Sequence, residues 1–156
     1  MSRSKPTLLA LGLMLGLSTQ ALAQETFNAP EDLSKVKPQQ LCVHYSEQSE
    51  ADKKRFFARL DKLNLLSHKD YDLIPKGQVE VGSTMCGMYM GLGKPLQEQG
   101  MQIRPMVFKV VHVYPEHYIV TQSGVVMEMH ERKEGEMPPT LNQAVPKVAP
   151  PPIAPH

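Results

Sequence analysis

The sequence predicts an α+β domain in which two to three short helices pack on a three-stranded antiparallel β-meander. Two patterns and their order carry this prediction. Apolar residues between positions 49 and 93 recur at helical spacing behind capping residues. The stretch from 106 to 131 instead holds three runs of β-branched and aromatic residues. Helices first and strands last favour helices gathered on one face of an antiparallel sheet.

The first predicted helix runs from Ser49 to Leu63. Ser49 is a suitable N-cap, and Asp52 stands three residues later in a capping-box position. Phe56 and Leu60 continue the apolar stripe, while lysines and arginines cover the other face as a solvated surface.

A second, short helix is expected from Ser67 through Ile74. The sequence Pro75-Lys76-Gly77 ends it. Residues 78–81 alternate and predict either a small strand or an extended approach to the next helix.

The third helix is predicted to begin at Thr84, whose hydroxyl can accept from free backbone amides. Gly93 suits the residue that ends a helix, and Pro95 prevents the helix from resuming. An apolar stripe at i, i+3, i+4 and i+7 lies between these caps: Met85, Met88, Tyr89 and Leu92.

The three predicted strands are Met106–Tyr114, His117–Gln122 and Val125–Glu131. Ser123-Gly124 separates the last two as a two-residue hairpin turn, because glycine tolerates positive φ.

The N-terminus has the pattern of an export signal over residues 1–23. A basic start is followed by an apolar run over 8–17 and by the sequence Ala21-Leu22-Ala23. An uncleaved anchor is the alternative, but a bilayer span needs roughly 20 apolar residues. We therefore expect a periplasmic protein without a transmembrane segment after cleavage, with the periphery of the outer membrane as a candidate location.

Composition divides the rest of the chain into three parts. Residues 24–40 are polar and predict an extended lead-in, and residues 41–133 predict the ordered domain. Residues 134–156 are rich in proline, which lacks the amide donor, and predict a disordered tail. This tail is either a spacer or a tether that docks another envelope component.

Charge argues against a nucleic-acid partner. Without Arg3 and Lys5, 17 − 2 = 15 basic residues face 16 acidic ones, so a basic face is not expected. No cofactor is predicted.

The two cysteines, Cys42 and Cys86, lie in the expected domain, and an exported compartment permits a disulfide between them. Two free buried thiols or a reactive pair are the alternatives.

The sequence also offers candidate residues for two kinds of chemistry. Cys86 with His112 or His130 would supply a nucleophile and a base, but no spacing selects them, and we expect no enzyme. The alternative function is a periplasmic copper-binding protein, because thioether and imidazole ligands suit Cu(I). Its candidate ligands are Met85, Met88, Met127, Met129 and His130.

The segment from Asp70 to Gly124 resembles the SmpA/OmlA-like family of small envelope domains, which includes the small lipoprotein of the outer-membrane β-barrel assembly machine. The resemblance covers about residues 67–131, without the lipidation cysteine of that lipoprotein. It implies a helix-then-meander fold and a scaffold or interaction role with envelope proteins, in which the motif residues are structural. The matching residues are Gly82, Thr84, Leu92, Gly93, Pro95 and Gly124.

Overall fold

The computed structural model describes residues 27–133 and 135–139. The predicted signal at 1–23 and most of the predicted proline-rich tail lie outside these residues. The described residues form four helices, α1 (Pro38–Val43), α2 (Glu50–Lys62), α3 (His68–Leu73) and α4 (Met85–Leu92), together with short 3₁₀ turns. They combine with one antiparallel sheet, so the α+β class is confirmed.

The sheet is a four-stranded meander in the order β1-β2-β3-β4, so the prediction of three strands is wrong by one. Its strands are β1 (Gln97–Arg104), β2 (Val107–Val113), β3 (His117–Gln122) and β4 (Val125–Glu131). The missed strand β1 has the sequence QEQGMQIR and is exposed along almost its whole length. An exposed strand does not need apolar residues to fill a core, and so the run of β-branched and aromatic residues that identified the other strands is absent here.

The helix count also exceeds the prediction, because α1 begins inside the expected extended lead-in. Pro38 occupies the first turn of α1, where a missing N–H costs no hydrogen bond. Leu41 and Cys42 are buried on its inner side. The polar composition of residues 24–40 predicts an extended chain, whereas Pro38 starts a helix within it.

The predicted N-caps of α2 and α4 and the predicted hairpin turn are present in the structure. The Ser49 hydroxyl accepts from Asp52 N at 3.2 Å, and the Thr84 hydroxyl accepts from Gly87 N at 2.9 Å. Ser123 and Gly124 have φ values of 49° and 83°, as a tight hairpin between β3 and β4 requires.

A buried carboxylate joins the N-termini of α3 and α4. Asp70 is 1% exposed and accepts hydrogen bonds from Ser67 N (2.6 Å), Thr84 N (3.2 Å) and Thr84 Oγ1 (2.9 Å). Gly87 lies directly against it, and a Cβ at that position would stand 2.3 Å from Asp70 Cγ. The glycine in α4 therefore leaves room for the carboxylate.

The two faces of the sheet are both covered. Helices α1, α2 and α4 pack with Tyr114, Ile119 and Val126 in the main core. The outer face carries a second buried cluster of Val111, Val113, Tyr118 and Val120. The Tyr118 hydroxyl donates to Glu136 O at 3.0 Å, so the chain after β4 folds back over this face. No described helix is both long and apolar enough to cross a membrane.

Candidate functional site

Strand β1 leaves one edge of the sheet open. It is hydrogen-bonded to β2 over its whole length. Within residues 27–133 and 135–139, no backbone or side-chain hydrogen bond reaches its other edge. The opposite edge of the sheet differs, because the β4 residue Val126 exchanges hydrogen bonds with Gly82 N and Ser83 O at 2.8 Å each. The start of the β4 edge is therefore occupied, whereas no such bond is found along the outer edge of β1 in the described residues.

The backbone groups that point outward from β1 can be identified. Ser123 N donates to Phe108 O at 2.8 Å, so the peptide N–H and C=O groups of Phe108 point towards β3. Because these groups alternate in direction along a strand, those of Val110 and His112 point the same way. Lys109, Val111 and Val113 then face β1 and bond its residues 101, 99 and 97. The N–H and C=O groups of Glu98, Gly100 and Gln102 consequently point away from the sheet, which is the arrangement that accepts an additional strand.

The side chains of these same three residues lie on the helix side of the sheet. Glu98 is opposite His112, and His112 is opposite Ile119, which belongs to the main core. Directly opposed residues share a face. At residue 103 an irregular register ends this alternation, which limits the regular open edge to about residues 97–102.

A polar cluster fixes the Glu98 carboxylate at the start of this edge. Glu98 Oε1 accepts from the Tyr89 hydroxyl at 2.5 Å and lies 2.8 Å from His112 Nδ1. His112 Nε2 lies 2.9 Å from Thr121 Oγ1. A carboxylate oxygen only accepts, so the proton of a neutral His112 is on Nδ1, and Nε2 accepts from Thr121. Among the described residues, Glu98 Oε2 has no hydrogen-bond partner.

Burial favours the neutral forms of the two donors, His112 and Tyr89. Burial lowers the pKa of His112, although hydrogen bonding to Glu98 opposes the effect. Burial, followed by the hydrogen bond to Glu98, raises the pKa of the Tyr89 hydroxyl, which stays protonated. Both groups therefore act as donors that orient the carboxylate.

The sequence of contacts from Thr121 through His112 to Glu98 has the chemical order of a hydroxyl nucleophile, a base and an orienting acid. Thr121 is 1% exposed and His112 is fully buried, so the hydroxyl faces the core, where a substrate cannot reach it. The Glu98 side chain is 42% exposed. Of these three side chains, only the Glu98 carboxylate is accessible to a partner. The arrangement therefore favours binding of a ligand by Glu98 over nucleophilic attack by Thr121.

A pocket of about 230 Å³ opens beside Glu98. Gln39 and Val43 of α1, Tyr89 of α4 and residues 94–98 line it. Lys94 is the other charged residue of this lining, and it forms no ion pair with Glu98 in the described part of the chain. The pocket and the open edge of β1 are thus continuous at Glu98.

The cysteines lie on the neighbouring side of the helices. Cys42 of α1 and Cys86 of α4 form a disulfide, with their Cα atoms 5.1 Å apart. A second pocket, of about 370 Å³, lies over this disulfide and is lined in part by Leu65 and Met85. Because Cys86 is bonded to sulfur, the pairing of its thiol with His112 or His130 that the sequence allowed is not formed.

The candidate copper ligands are divided between core and surface. Met88 is fully buried, and Met85 and Met129 pack half-buried against the same core. Met127 is 48% exposed, and His130 Nε2 contacts Glu128 at 3.1 Å. The described residues also contain no group of three or more histidine, cysteine or acidic side chains arranged for a metal ion.

The residues that carry the SmpA/OmlA-like resemblance lie mainly at helix ends and turns, where they set the course of the backbone. Thr84 caps α4, Gly93 ends it with a φ of 78°, and Gly124 lies in the hairpin turn. Gly82, with a φ of 93°, precedes the short bridge between Thr84 and β4. Leu92 is the last residue of α4, and Pro95 lines the 230 Å³ pocket.

Sequence reasoning missed Glu98, Tyr89 and Thr121 as members of one cluster. The sequence offers His112 as a base for Cys86, whereas in the structure it lies opposite Ile119, on the face of the main core. The contact between Glu98 and His112 can be predicted only when β1 is recognised as a strand and its register with β2 is known.

Comparisons with known proteins add no relative. No protein-family model, no curated protein and no solved structure matches the chain.

Proposed function

We propose that this protein is a non-enzymatic interaction module of the bacterial cell envelope, which binds another envelope protein through the free edge of β1. The observation that carries the proposal is the row of outward-pointing peptide groups at Glu98, Gly100 and Gln102. Proteins usually shield such an edge with proline, lysine or a covering segment. Residues 97–102 contain neither proline nor lysine, their register is regular as far as Gln102, and no described residue hydrogen-bonds to their outward groups.

Export to the periplasm belongs to the same proposal. The N-terminal pattern supports it, and so does the Cys42–Cys86 disulfide, because disulfides persist in oxidising compartments. The SmpA/OmlA-like resemblance, which the helix-then-meander order supports, directs the proposal towards assembly or maintenance of the outer membrane. Copper binding gains no supporting observation, since its candidate ligands are split between core and surface.

The test is purification of the tagged full chain from native envelopes in mild detergent, with mass spectrometry of the proteins that co-elute. Gln102→Pro removes an outward N–H while leaving the ladder to β2 intact. Gln102→Ala is the matched control, because it changes the side chain and keeps the N–H. We expect an envelope protein that co-elutes with wild type and Gln102→Ala and is lost with Gln102→Pro. Equal recovery with all three folded proteins would refute a role for the edge.

A further inference from the structure

We infer that the β1 edge selects an extended segment in which an apolar residue and a basic residue stand two positions apart, with the basic side chain bound by Glu98. This inference rests on the proposed function and names the chemistry of its partner. The geometry of the edge, the oriented carboxylate and the apolar strip beside it together define the segment.

The outward peptide groups of β1 determine how the backbone of a bound segment is placed. A strand added antiparallel to β1 places hydrogen-bonded residues opposite Glu98, Gly100 and Gln102. Opposed residues share a face, so the side chains of those partner residues project to the helix side of the sheet. The partner residues between them project to the outer side. The partner residues opposite Glu98, Gly100 and Gln102 therefore form the backbone hydrogen bonds to β1. Their side chains also meet the side chains on the helix side of the sheet.

The position opposite Glu98 selects a cation. Tyr89 and His112 both hold Oε1, which leaves Oε2 for a ligand at the mouth of the 230 Å³ pocket. Two donors already orient the carboxylate, so a lysine or arginine of the partner meets a fixed acceptor. Lys94, which lines the same pocket, is the nearby like charge that such a ligand must avoid.

The position opposite Gly100 selects an apolar side chain. Gly100 has no side chain of its own, and the Val110 methyl Cγ2 lies 3.2 Å from the point where a Cβ would stand. Phe108, also on the helix side, is 51% exposed. The Val110 methyl thus lies over Gly100, so an aliphatic residue of the added strand can contact Val110 and the exposed Phe108 without an intervening side chain. In the antiparallel direction the segment therefore reads apolar, any residue, basic.

The experiment is an NMR titration of the ¹⁵N-labelled, disulfide-bonded full chain with the probe acetyl-Thr-Thr-Val-Thr-Lys-Thr-Thr-amide. We expect amide shifts at residues 98–102 and a dissociation constant about tenfold lower than for the matched peptide with Gln in place of Lys, equivalent to about 1.4 kcal/mol. Glu98→Gln should abolish this preference, whereas the control Glu131→Gln, on the exposed side of β4, should keep it. Lys94→Ala should increase the affinity for the Lys peptide.

Backbone methylation of the probe tests strand addition separately from charge. N-methylation at Val or Lys should abolish binding, and N-methylation at the Thr between them should be tolerated. Equal affinity for the Lys and Gln peptides would overturn the basic preference while leaving the edge as a binding site. If millimolar peptide shifts no amide signal at residues 98–102, strand addition by this segment is wrong. The co-purification experiment would then decide the proposed function separately.

Discussion

Gly87→Ala gives the sharpest test of how the helices are joined. In an ordinary helix this change stabilises by about 1 kcal/mol, because glycine is a poor helix former. Here the new Cβ would lie 2.3 Å from both Asp70 Cγ and Oδ1. The buried carboxylate must move, and it then loses donors from Ser67 and Thr84.

The magnitude follows from those contacts. Hydrogen bonds to a charged group contribute about 1.5–3 kcal/mol each, so losing two costs about 3–6 kcal/mol. Subtracting the gain in helix propensity of about 1 kcal/mol leaves a net destabilisation of about 2–5 kcal/mol. Urea unfolding followed by circular dichroism, with the disulfide intact, measures the free energy of unfolding.

A double-mutant cycle supplies the control. In an Asp70→Ala background the clash is gone, so adding Gly87→Ala should be neutral or stabilising. If Gly87→Ala stabilises the otherwise unchanged protein, the close contact between α4 and the Asp70 carboxylate is wrong, and so is the reasoning built on it.

Two further predictions concern the disulfide and pH. Replacing Cys42 and Cys86 together by serine opens a loop with a sequence separation of 44, and should lower the free energy of unfolding by up to about 4 kcal/mol; an unchanged urea midpoint would contradict this. Burial holds the folded-state pKa of His112 below its unfolded value of about 6.5, so the unfolded chain binds the proton more readily. The stabilisation from neutral His112 is fully present above about pH 6.5 and is lost as pH falls towards the folded pKa, so the urea midpoint should drop between pH 7.5 and 5.5 and drop less in His112→Gln. An equal drop in both proteins would assign the pH dependence to other groups.

The elements that the sequence predicts well are those with a buried stripe and a chemically distinctive end. Strands β3 and β4 match their predicted bounds because short runs rich in β-branched residues flank the Ser123-Gly124 turn. Helix α2 begins after Ser49 as its capping pattern indicates. In each case a local signal and the packing of the folded chain agree.

The candidate site could not be predicted in the same way, because it depends on contacts between distant positions. Glu98 meets His112 across 14 positions, and His112 meets Thr121 across 9. These contacts exist only in the observed register of β1, β2 and β3. Strand β1 is polar, which suits an exposed edge, and it therefore lacks the run of β-branched and aromatic residues that identified the other strands.

Site-specific photo-crosslinking in living cells tests the central claim most directly. A benzophenone side chain at Gln102, beside the open edge, is compared with the same group at Glu131, an exposed residue of β4 at the other side of the sheet. Binding through β1 predicts an adduct with one envelope protein at position 102 and no such adduct at position 131. No adduct at 102, or the same adduct at both positions, would contradict an interaction through the free edge of β1.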